Sequence, residues 1–300
     1  MHQVHARTRP VETRSKLGAY VALTKPRIIE LLLVTTVPTQ VVAARGVPSG
    51  WLILWTVVGG TLAAGGANAI NMFVDRDIDR LMKRTEGRPL VTGEIEPNAA
   101  LAFAIGLEVA AFVLLWGAVN LLSAVLALTA TLFYVFIYTL WLKRTSKQNI
   151  VIGGAAGAMP ALIGWSSITG DLAWPPVILF AVIFFWTPPH FWALAIKYKD
   201  DYEAADVPML PVVATLKNVS VQIVGYTVLL WALTLAFAPI AHMGNIYLGS
   251  ALVLGAVYTW MAVKLLRDPT PQRAMRLFTW SITYLTLLFG AMAADQLIHL

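Results

Sequence analysis

The sequence contains no cysteine. That excludes disulfides, thiolate metal sites, thioether-linked haem and a Cys nucleophile. Charge is nearly as scarce. Asp, Glu, Lys and Arg make up 13% of the 300 residues, against roughly 25% in soluble domains, which excludes an ordinary water-solvated core. No cleavable signal peptide is predicted: residues 1–24 are polar and basic, and the first apolar run is long enough to span a bilayer. That tail, with Arg7, Arg9, Arg14 and Lys16, reads as a short cytoplasmic segment rather than an organellar presequence.

Apolar length is what the chain has in excess, with 58% hydrophobic residues and a mean hydropathy of +0.70. A membrane span needs about 20 mostly apolar residues, and about nine stretches qualify. They lie near 27–45, 51–74, 98–117, 120–141, 150–168, 175–196, 218–239, 245–263 and 277–297. The expected fold class is therefore all-α, a polytopic membrane helix bundle, with one transmembrane domain over 25–300. The net charge of +6 is no sign of nucleic acid, because of where it sits. Of the 22 Lys and Arg, all but Arg45 fall in the tail or in alternate connections. The positive-inside rule then predicts the N-terminus inside and the C-terminus outside.

Two of the inner connections, 76–97 and 198–217, are long, rich in charge, and preceded by spans that end in acidic residues. Extended polar connections in a compact protein tend to be functional. Their separation by four spans, on one side, predicts a weak pseudo-repeat with a site between its halves.

The first connection carries the sharper signal. Asn71, Asp75 and Asp79 recur every four residues, so a helix projects them from one face. The two aspartates repel each other, sit at a helix C-terminus where the macrodipole disfavours anions, and lie at the edge of hydrocarbon. A solvated helix end with local pairs such as Asp79–Lys83 accounts for mixed charge, but not for this row. Oxygen ligation of Mg²⁺ does, since that ion is held by one or two carboxylates plus substrate phosphates. Arg80, Arg84 and Arg88 follow at the same spacing and suit phosphate oxygens. His190 lies at membrane depth just after Pro188-Pro189, a pair expected to break the helical ladder and open a cavity. Haem-iron ligand, proton relay and packed histidine are all open to it. Glu108, near the middle of the third span, is read as protonated or hydrogen-bonded within the bundle.

The N-x-x-x-D-x-x-x-D row ending an early span resembles the first aspartate-rich motif of the UbiA-type intramembrane prenyltransferases. Its extension through Met82, Arg84, Thr85, Arg88 and Pro89 is similar to that of the heme O synthase (protoheme IX farnesyltransferase) family. Further blocks agree: Leu23-Thr-Lys-Pro-Arg27, the run from Asn149 through Gly153-Gly154, Trp186-Thr-Pro-Pro-His190-Phe-Trp, and Lys199-Asp-Asp-Tyr through Pro211. The resemblance implies Mg²⁺-dependent transfer of a farnesyl group from farnesyl diphosphate to a vinyl group of haem b, giving haem O. Haem b is then a substrate rather than a cofactor. The bilayer, haem A synthase and terminal-oxidase assembly proteins are the implied partners, with no nucleic acid. The implied location is the cell membrane, active-site loops on the cytoplasmic side, rather than the mitochondrial inner membrane.

By the same resemblance Asn71, Asp75, Asp79, Asp200 and Asp201 hold metal, and Asn71, Asp75, Asp79 and Asp201 are catalytic. The spacing of Asp200, Asp201 and Asp206 departs from the superfamily's second D-x-x-x-D, which leaves Asp200 and Asp201 as alternatives, Asp201 preferred. Lys25, Arg27, Arg80, Arg84, Arg88, Lys143, Lys197, Lys199 and Tyr202 are the candidates for diphosphate or propionate, and His190 for haem. Two other readings are a related prenyltransferase acting on a quinone precursor or chlorophyllide, and a non-catalytic haem or lipid transporter.

Overall fold

The computed structural model describes residues 14–298, with the side chains of 27–32 outside the description. The elements are α1 (Lys16–Thr24), α2 (Pro26–Ala44), α3 (Gly50–Val74), α4 (Arg76–Asp79), α5 (Pro89–Thr92), α6 (Pro97–Ala118) and α7 (Leu121–Leu132). A π-helical stretch, Phe133–Leu142, carries α7 directly into α8 (Lys143–Thr145). There follow α9 (Asn149–Thr169), α10 (Trp174–Lys197), α11 (Lys199–Ala204), α12 (Leu210–Val213), α13 (Leu216–Ile240), α14 (Asn245–Arg267) and α15 (Pro271–Ile298). Among the described residues there is no strand.

Eight helical units of the described residues are long and apolar enough to cross a membrane: α3, α6, the continuous Leu121–Thr145, α9, α10, α13, α14 and α15. The expected first span corresponds to α2, whose described apolar stretch is Leu33–Ala44. Large apolar side chains such as Phe136, Trp141, Val253 and Trp260 point outward, as a lipid-facing surface requires. The short helices α1, α4, α5, α11 and α12 gather at the bundle end that holds the two long connections. They have no counterpart in the span prediction, which only detects length.

Helices in lipid gain little from burying apolar surface against each other, so close packing of small residues holds them together. A Cβ added to Gly66 of α3 would lie 2.6 Å from Glu108 Oε1 and 3.0 Å from the Ala104 carbonyl of α6. Only glycine permits that approach. Glu108 meets Thr131 Oγ1 through both oxygens, at 3.2 and 3.1 Å, so the mid-span carboxylate is hydrogen-bonded inside the bundle. At Gly164 of α9 a Cβ would fall 2.6 Å from the Thr36 carbonyl of α2. Helix α2 packs on both α9 and α15, joining the early helices to the late ones.

The prolines of α10 behave differently from the sequence expectation. The helix runs unbroken from Trp174 to Lys197 with Pro188 and Pro189 buried inside it. Thr187 Oγ1 donates to the Ile183 carbonyl at 2.9 Å. That bond occupies a carbonyl one turn back, beside the two whose amide donors the prolines remove.

Candidate active site

The acidic row survives a break in its helix. Helix α3 ends at Val74, yet the Asp75 amide donates to the Asn71 carbonyl and the Asp79 amide to the Asp75 carbonyl, both at 2.9 Å. The four-residue rhythm therefore continues through the junction into α4, and all three side chains turn inward. Asp75 and Asp79 have no exposed surface and Asn71 almost none. A solvated helix end is excluded.

Each aspartate is held by a cation through Oδ2 and leaves Oδ1 without a hydrogen bond. Asp75 Oδ2 pairs with Lys143 Nζ and accepts from Asn71 Nδ2 at 2.7 Å. Asp79 Oδ2 pairs with Arg88 NH1 at 2.5 Å, not with Lys83. Oδ1 of both residues is buried without a hydrogen-bond partner, although Arg144 NH2 approaches Asp75 Oδ1 at 3.7 Å. Burial raises the Asp79 carboxyl above its ordinary range, with the Arg88 charge opposing it.

The π-helical stretch supplies the opposite wall. Asn71 Nδ2 also meets Thr139 Oγ1 at 3.2 Å, and Lys143 follows Thr139 by four residues onto Asp75. Irregular helices of this kind often mark functional sites. Arg144 forms a two-pronged pair with Asp77, both contacts at 2.7 Å, and holds that exposed carboxyl down at about 2. Tyr134 and Tyr138 stack on the same stretch with centroids 5.3 Å apart.

Beside the acids lies a cavity of about 290 Å³ lined by Arg14, Ala22, Lys25, Met72, Arg84, Gly87, Arg88 and Pro89. Its charge is all of one sign. Lys25 Nζ donates to Asn71 Oδ1 at 2.8 Å. Burial, then repulsion from Arg88 and Lys143, pulls the Lys25 ammonium well below its usual range. An anion in the cavity would oppose both by favouring the charged ammonium. Arg14 closes one edge, bonding the Gly87 carbonyl at 3.0 Å and Glu94 at 3.3 Å.

The second connection meets the first through Arg84. Its guanidinium donates to Tyr202 OH at 2.8 Å and lies over the rings of Tyr202 and Tyr198, at 4.8 and 5.6 Å. Its backbone amide donates to Asp201 Oδ2 at 3.3 Å. Burial pushes the Tyr202 hydroxyl up. Asp201 is half-buried and Asp200 exposed. Beneath them Ile78 and Met82 pack with Tyr202, Val207 and Met209, so the two connections share an apolar floor.

The residues expected from sequence divide accordingly. Asn71, Asp75, Asp79, Lys25, Arg84, Arg88, Lys143, Asp201 and Tyr202 converge. Arg80 and Lys197 are exposed, the latter over the Tyr198 ring, Lys199 is half-buried, and the Arg27 side chain lies outside the described residues. His190 belongs to a different neighbourhood. Its ring stacks between Trp186 and Phe278, at 4.2 and 4.6 Å, and Nδ1 meets Ser281 Oγ at 2.6 Å. Sequence reasoning missed Arg14, Thr139 and Arg144. Only Arg144 carried a signal, as the neighbour of Lys143 at the charged end of a span.

Among the described residues no three carboxylate or histidine side chains enclose a metal unaided. The two unpartnered, buried Oδ1 atoms nevertheless fit a hard divalent cation, which completes its shell with water and substrate oxygens.

Residues 32–288 match the UbiA prenyltransferase family. The chain is 54% identical over 295 residues to a protoheme IX farnesyltransferase of Parafrankia sp. (strain EAN1pec), covering 97% of this chain and 94% of that one. It is 53% identical over 297 residues to the enzyme of that name from Streptomyces avermitilis, covering 97% of each. The fold is also that of a digeranylgeranylglyceryl phosphate synthase structure, with TM-score 0.79 at 19% identity over 94% of this chain and 99% of that one. A UbiA homologue from Archaeoglobus fulgidus, bound to DMAPP and Mg²⁺, superposes with TM-score 0.63 at 18% identity over 91% and 99%.

Proposed function

The chain belongs to the UbiA prenyltransferase family, and from that membership we propose that it transfers the farnesyl group of farnesyl diphosphate to a vinyl carbon of haem b, giving haem O and diphosphate. Its relatives across nearly the whole chain carry the name protoheme IX farnesyltransferase. One observation carries the chemical part: two fully buried aspartates, each with an oxygen that has no hydrogen-bond partner, beside a cavity whose charged lining residues are all cations.

The residues suggest the following sequence of events. Arg14, Lys25, Arg84 and Arg88 bind the diphosphate through charge-assisted hydrogen bonds. Asp75 and Asp79, with Asn71, would hold Mg²⁺, and Asp201 would support it from the second connection. Mg²⁺ bound there would supply positive charge against the negative charge that develops on the leaving group. The allylic C–O bond breaks with its electron pair going to diphosphate, and Lys143 and Arg88 stay in place to meet that charge. The surrounding helices exclude water from the farnesyl cation, and aromatic faces such as the Tyr134–Tyr138 stack favour positive charge. The terminal vinyl carbon of haem b bonds to the farnesyl carbon. Water then adds to the adjacent carbon and loses a proton, giving the hydroxyethyl group.

His190 enters the proposal as the haem-facing residue. Ser281 Oγ donates to the Phe278 carbonyl at 2.6 Å, so His190 Nδ1 donates to Ser281 and Nε2 keeps the lone pair that iron requires. The protein is multi-pass in the membrane. The charge census supports placing this end of the bundle at the cytoplasmic face of the cell membrane, and haem A synthase or oxidase assembly proteins as recipients of the product.

The test is an acceptor series. Purified protein is incubated with Mg²⁺ and farnesyl diphosphate, and with haem b, 4-hydroxybenzoate or chlorophyllide. The haem O mass from haem b alone is the expected result. Prenylation of another acceptor in its place overturns the proposal.

A further inference from the structure

Asn149 opens α9 with no exposed surface, and neither Oδ1 nor Nδ2 has a hydrogen-bond partner. Burying an amide in that state is unfavourable, because both ends have left water and gained nothing. Such groups are rare in folded proteins and call for a specific cause, a bound ion, water or substrate among them.

The surroundings indicate what that is. Asn149 stands just beyond α8, whose first residue Lys143 pairs with Asp75. Its neighbour Ile150 packs in the floor with Ile78, Met82 and Tyr202. One turn on, a Cβ at Gly153 would overlap the Tyr138 ring, so this face of α9 abuts Tyr138. Tyr138 in turn packs against the floor that holds Tyr202. Asn149 therefore starts the helix that packs against the π-helical stretch and against the floor shared by the two connections. Gln148, which precedes the helix, makes no side-chain cap, so the first turn of this 21-residue helix carries uncapped amide donors beside Asn149.

We propose that Asn149 is a further substrate-binding residue, its Nδ2 donating to a diphosphate oxygen and its Oδ1 accepting from water bound beside that oxygen. The proposal rests on the prenyltransferase reading above. A bare anion satisfies only the donor, whereas a hydrated diphosphate satisfies both ends. An asparagine kept for the fold alone has its partners in place before substrate arrives, and this one has none.

The test pairs affinity with stability in wild type, Asn149→Leu and Asn149→Asp. Calorimetry with farnesyl thiodiphosphate and Mg²⁺ reads the first, and thermal unfolding without ligand the second. Leucine removes the unpartnered amide at similar volume, so the unliganded Tm is expected to rise while affinity falls roughly tenfold. Aspartate sets a carboxyl against the diphosphate and is expected to weaken binding further. Unchanged affinity in Asn149→Leu overturns the proposal. So does a joint fall of Tm and affinity, which marks a structural amide. A wild type that fails to bind the analogue removes the prenyltransferase reading, and this proposal with it.

Discussion

Asp75 and Asp79 on the first connection are fully buried, whereas on the second Asp201 is half-buried and Asp200 exposed. The two stretches look alike in sequence: both follow a long span, both mix acids with Lys or Arg, and both lie at one end of the bundle. Burial separates them. A buried carboxylate with a free oxygen is destabilised until a cation arrives, so its free energy is tied to the ligand. An exposed carboxylate is already solvated and gains little. Asp295, at the other end of the bundle, marks a third case. It is buried too, but accepts from the amides of Gly244, Ile246 and Tyr247 at 2.5, 3.0 and 3.1 Å, which fix the start of α14. Burial alone does not make a site; burial with an unfilled acceptor does.

Substitutions sharpen this contrast in descending order. Asp75→Ala is expected to lower farnesyl transfer by about 10³-fold, read as haem O formed per unit time, with the detergent-solubilised protein still folded. Retention of a third of the activity breaks the contrast at its strongest point. Arg88→Ala strands the Asp79 charge in a buried position. It is expected to cost about 3 kcal/mol of stability in chemical unfolding and to raise KM for farnesyl diphosphate. Asp201→Ala, which frees one amide hydrogen bond on Arg84, is expected to lower kcat by about tenfold. Asp200→Ala is expected to change kcat less than about threefold, as a solvated surface change does. Equal losses at Asp200 and Asp201 erase the distinction drawn between them.

The membrane bundle was legible because span length leaves a strong mark on composition. The α3, α6 and α9 boundaries fall within a residue or two of the predicted stretches. The acidic row was legible for a related reason, since a four-residue repeat of polar groups at a span end has few structural explanations. Partners were less so. Lys143 reaches Asp75 from 68 residues away, through a π-helical stretch whose pattern of Phe, Tyr and Leu reads as an ordinary span. Thr139 carries no sequence signal at all, because a threonine in an apolar helix usually bonds its own backbone. Arg14 was read as part of a basic tail, yet α1 brings it to the cavity rim. The Pro188-Pro189 pair misled in the other direction, because neighbouring helices keep α10 intact where an isolated helix yields.

The most direct test of the buried acids is calorimetric binding of farnesyl thiodiphosphate with Mg²⁺ and with EDTA, in wild type and Asp75→Asn. Tight binding by wild type in Mg²⁺, lost in EDTA and lost in Asp75→Asn under both conditions, is the expected result. Equal affinity in all four experiments contradicts a site in which buried carboxylates and a divalent cation jointly hold the diphosphate.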